Sequence, residues 1–181
     1  MALTQLDVAK EALAQVGTRS KITSLSDGSA EAQYVSLLYA PLRDFLLVEG
    51  DYDFANVVNG LTAASPTPPL PWLQAYAYPT DCLRIRQLIP VDYVANDPRP
   101  VEWSTALKTG VKQIWTKVGI ERGVYTTQAA EAVWDPMFQQ AFVRLLASAL
   151  AFALENRIEA SKQKLEESLS FAGIANLRDA G

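Results

Sequence analysis

A chain of 181 residues, 49% of them hydrophobic and 20% charged, carries enough apolar side chain to bury a core, and disorder is not its default state. Its formal net charge of −4 offers no chain-wide basic field for phosphates, which argues against tight non-specific DNA binding. The single cysteine excludes an internal disulfide, and the lack of any histidine removes Ser-His and Cys-His nucleophile pairs and histidine-bearing zinc sites.

Thr4 followed by Asp7 has the spacing of a capping box, and Leu6, Ala9, Leu13 and Val16 then recur at helical intervals until Gly17. A polar stretch over residues 24–29 separates this helix from a longer one, with Tyr34, Leu37, Leu38, Leu42, Phe45 and Leu46 on one face and a kink expected near Pro41. Residues 51–81 hold five of the ten prolines and read as an extended loop. Leu61, Leu70, Trp72, Tyr76 and Tyr78 in this loop are too apolar to stay in water, so a neighbouring subunit is expected to cover them. Residues 82–130 read as short antiparallel strands, with turns at Lys108-Thr109-Gly110 and Glu121-Arg122-Gly123. Asp135-Pro136 then opens a strong helix whose apolar run over 145–154 is shorter than a membrane span. A last, thinner helix carries a stripe of Ile158, Leu165, Leu169, Ala172 and Ile174.

Residues able to do chemistry are sparse. Glu49, Asp51 and Asp53 could bind a hard cation or act as an acid and base pair, which keeps a carboxylate-dependent cell-wall hydrolase as an alternative. Cys82 stands beside Asp81, a neighbour that disfavours its thiolate. Arg84, Arg86, Lys108, Lys112, Lys117 and Arg122 gather in the strand region and could face an acidic partner. No phosphate-binding glycine loop is present, and neither a cofactor nor a metal is expected. A non-viral helical interaction module is a further alternative that composition alone allows.

The order of short signatures carries more information than any one of them. Asp27-Gly28-Ser29 before a helix, Arg43-Asp44-Phe45-Leu46-Leu47 within it, Asp53-Phe54-Ala55, Tyr76-Ala77-Tyr78-Pro79-Thr80-Asp81-Cys82-Leu83-Arg84 and Trp134-Asp135-Pro136-Met137-Phe138 follow one another. Together they resemble the head-to-tail adaptor family of short-tailed bacteriophages, the tail tubular protein A or tail accessory factor group. The chain departs from the family pattern at Gly50-Asp51-Tyr52, where proline and tryptophan are common.

The resemblance implies a structural virion protein rather than an enzyme, made in the bacterial cytoplasm and placed at the head–tail junction. It would form a twelve-subunit ring between the portal protein and a tail nozzle or tail tube protein, with DNA passing through unbound and no membrane involved. The expected fold is mainly α: a helical bundle with a small antiparallel β insert (α+β). It is read as one adaptor domain, with residues 1–50 and 131–181 as bundle, 51–81 as loop and 82–130 as insert. Subunit contacts are assigned to Leu61, Leu70, Trp72, Tyr76 and Tyr78, and portal docking to Ile158, Leu165, Leu169, Ala172, Ile174 and Arg178.

Overall fold

The structure is a computed structural model that describes residues 3–18, 22–94, 100–155 and 158–179; of residues 155, 158–161 and 174–179 only the backbone is described. The chain forms two compact units, one from residues 1–54 with 129–181 and the other from residues 55–128.

The first unit is helical. In α1 (Gln5–Val16) the Thr4 hydroxyl accepts from the Asp7 amide and the Asp7 carboxylate accepts from the Thr4 amide, so the capping box is formed. Gly17 ends the helix at φ 86°, a left-handed conformation that disfavours side chains with a Cβ. In α2 (Ala30–Glu49) the Ser29 hydroxyl caps the Ala32 amide while donating to Asp27 at 2.6 Å. Asp27 also accepts from the amides of Ser29 and Thr23, so the Asp-Gly-Ser signature works as a helix-starting turn. The helix continues past the exposed Pro41 as one element.

Helix α3 (Pro136–Glu155) is the core of this unit, and α1, α2 and α4 (Ile158–Asp179) all pack on it. Its first turn is held by Asp135, whose carboxylate accepts from the Met137 amide at 2.7 Å. Phe138 and Phe142 recur one turn apart and organise an aromatic cluster. Tyr52, Phe54 and Trp134 meet Phe138 at 4.9, 5.1 and 5.0 Å between ring centroids, and Tyr39 meets Phe142 at 4.9 Å, all edge to face. Tyr52 is fully buried here, so the Gly50-Asp51-Tyr52 segment supplies an aromatic core residue. Within α3, residues 136–154 form a stretch of mean hydropathy 1.5, 56% buried, longer than the apolar run read from sequence. Length and composition would let it cross a membrane, but its burial is that of a core helix.

The second unit is a pair of three-stranded antiparallel sheets. One has the order β1 (Asn56–Gly60), β6 (Ile120–Thr126), β3 (Arg84–Pro90). The other runs β2 (Gln74–Ala77), β5 (Val111–Thr116), β4 (Trp103–Lys108). Tyr76 and Ile114 from one sheet meet Ile85, Leu88, Ile120 and Tyr125 from the other in a shared core. The Tyr76 hydroxyl crosses that core and accepts the Ile120 amide at 2.7 Å. The β4–β5 turn has positive φ at Thr109 (51°) and Gly110 (80°), as a two-residue hairpin turn of type I′ requires.

These sheets correct the fold class. With 44% helix and 23% strand the chain is a mixed α+β fold, not a mainly α bundle with a small insert. The difference arises in residues 51–81, read as loop, which contain β1 and β2. Each completes a different sheet: β1 pairs with β6 from Asn56↔Thr126 to Gly60↔Arg122, and β2 with β5 from Gln74↔Thr116 to Ala77↔Gln113. The turn expected at Glu121-Arg122-Gly123 lies inside β6, and a bend at residues 117–118 joins β5 to β6 instead.

Candidate interaction surface

Four of the five residues assigned to subunit contact find their partners within the β unit. Tyr76 is a core residue, and Leu61 and Tyr78 pack against the same core. Leu61 lies over Gly123, where a Cβ would approach its side chain to 3.1 Å. Trp72 is half-buried, with the Lys117 ammonium 5.8 Å from its ring. Leu70 alone of the five is exposed, at 85%. The proline-rich stretch is anchored to its own sheet at its start, where Ala63 forms an isolated antiparallel bridge with Tyr76. Ala77 and Ala64 amides donate to Thr62 and Ala75 carbonyls, each at 2.8 Å. Further along, the Ser65 carbonyl accepts from the buried Gln113 side chain and the Thr67 carbonyl from Lys108. The aromatic residues that suggested an intersubunit contact are thus largely satisfied in cis.

The docking stripe assigned to α4 divides into two faces. Leu165 and Leu169 are exposed, at 41% and 58%, whereas Ala172 is buried. Of Ile158, Ile174 and Arg178 only the helical backbone is described. The helix meets α3 through other side chains. Ser168 is fully buried and donates to the Ala141 carbonyl at 2.9 Å, Arg144 donates to Glu167 at 3.3 Å, and the Arg144 guanidinium lies 4.2 Å from the Phe171 ring centroid. A small hydroxyl at position 168 lets the two backbones approach closely, which a leucine stripe would prevent.

Helix α2 carries a further apolar surface. Of the residues read from sequence as one apolar face of α2, Leu46 is buried, while Tyr34, Leu37 and Phe45 are exposed, Leu37 to 67% and Phe45 to 50%. With the exposed Pro41 they recur at i, i+3, i+7 and i+11, along one line of the helix. The buried face consists of Ala32, Val35, Tyr39, Leu46 and Leu47. The signal was present in the sequence: α2 has apolar residues on more of its circumference than one stripe, so one covering helix cannot bury them all.

The chemically suggestive residues have structural partners. Arg86 donates to the Thr126 hydroxyl at 2.7 Å, Lys112 stands 3.6 Å above the Tyr78 ring, and Lys117 and Arg122 pair with Glu102 and Glu121 at 2.7 and 2.9 Å. Such engaged cations do not make an open phosphate-binding patch. Cys82 lines a half-open cavity of about 390 Å³ with Thr80, Asp81, Leu83, Thr127 and Gln128. Burial pushes its thiol above the ordinary range, against the hydrogen bond from Tyr78, so the thiolate that nucleophilic attack requires is disfavoured. Burial likewise raises the Tyr78 phenol, and its hydrogen bond to Cys82 adds to the effect. Glu49, Asp51 and Asp53 are all exposed, and no group of three or more metal-capable side chains comes together among the described residues.

Compared with known proteins, the chain matches no family model and no curated sequence.

Proposed function

We propose that this protein is a structural ring-forming connector, the head-to-tail adaptor of a short-tailed bacteriophage, which joins portal to tail and leaves an open path for DNA. The observation that carries the reading is the apolar stripe of Tyr34, Leu37, Pro41 and Phe45 on α2, on the surface of a unit that already has a complete aromatic core. A monomer gains nothing from such a stripe, whereas neighbouring subunits in a ring can bury it. The ordered signatures named above support the same reading. Several of them act in folding: Asp27-Gly28-Ser29 starts α2, Phe54 joins the aromatic cluster, and Asp135-Pro136 starts α3.

The test is electron microscopy and native mass spectrometry of the purified protein, alone and mixed with portal protein. Rings in either sample, lost in the Leu37→Asp/Phe45→Asp variant while its helical signal is retained, are the expected result. Monomer alone in both samples overturns the proposal.

A further inference from the structure

We draw no further inference here: the strongest candidate, the exposed apolar stripe of α2 through Tyr34, Leu37, Pro41 and Phe45, belongs to the surface already described, and nothing in the structure shows which partner surface covers it.

Discussion

Two tyrosine hydroxyls show how single atoms hold this chain. Tyr76 accepts the buried Ile120 amide, so Tyr76→Phe leaves an N–H without its partner inside the β core. An orphaned buried donor costs about 1–3 kcal/mol, and urea denaturation should show a loss of that size. Tyr39 is buried in the helical unit and donates to Glu131 at 3.0 Å. Burial, then the Glu131 charge and the hydrogen bond to it, raises the phenol well above its ordinary range. The folded chain therefore keeps a proton that the unfolded chain releases near pH ~10, so this contribution to stability is intact below that pH and declines above it. Urea midpoints measured from pH 8 to 11 should fall on the alkaline side, and Tyr39→Phe should flatten that fall while costing about 1 kcal/mol at neutral pH. An unchanged alkaline slope in the variant would assign the effect to other groups.

Among the elements, α4 offers the sharpest contrast between sequence pattern and packing. Leu169→Asp changes an exposed residue and should alter stability by no more than about 0.5 kcal/mol. Ser168→Leu forces a larger side chain into the buried contact where the Ser168 hydroxyl meets the α3 backbone and should cost about 1–3 kcal/mol. Equal effects of the two substitutions on the thermal transition would contradict this packing. Leucine spacing marks the exposed face, the one read from sequence as the docking stripe, whereas the face against α3 carries small residues with little hydrophobic signal. Capping was easier to read: Thr4 with Asp7 and Asp135 with Pro136 depend on neighbours within one turn. Strands β1 and β2 were not legible, since each is short, bordered by proline-rich chain, and stabilised by partners roughly forty to seventy residues away. The hairpin between β4 and β5 was readable at its turn. There Thr109 holds a positive φ that asparagine tolerates better, so Thr109→Asn should raise the urea midpoint slightly.

For the whole molecule, what the sequence left open has one cause: apolar side chains can be counted in a sequence, but which neighbour covers them depends on tertiary contacts. Tyr76 and Tyr78 looked unpartnered and lie in or against a core, while Leu37 and Phe45, read on the same helix face as the buried Leu46, are exposed. In the ring proposed above, the exposed stripe of α2 rather than the proline-rich stretch would make the subunit contact. Trp72→Ala should then reduce stability without changing the assembly state, and Leu37→Asp should do the reverse, as read by thermal melts and sedimentation. An apolar contact of this kind should also persist when salt is raised to about 0.5 M, where exposed charge pairs are largely screened.

The Thr127 amide donates to the Ala55 carbonyl at 2.8 Å, so the chain leaves the β unit beside the point where it entered. That hydrogen bond has a kinetic consequence. While residues 55–128 are unfolded, bringing α2 to α3 closes a long loop, at an entropic cost of about 4 kcal/mol; once the β unit has formed, the effective loop is only a few residues and the cost falls to about 1 kcal/mol. Formation of the sheets should therefore precede and accelerate docking of the helices, although the helices hold the larger aromatic core. In a variant retaining Trp134 as its one tryptophan, fluorescence follows the helical unit alone, and Tyr125→Ala in β6 should slow that signal during refolding. A refolding rate unaffected by Tyr125→Ala would mean that the helices assemble across an open loop.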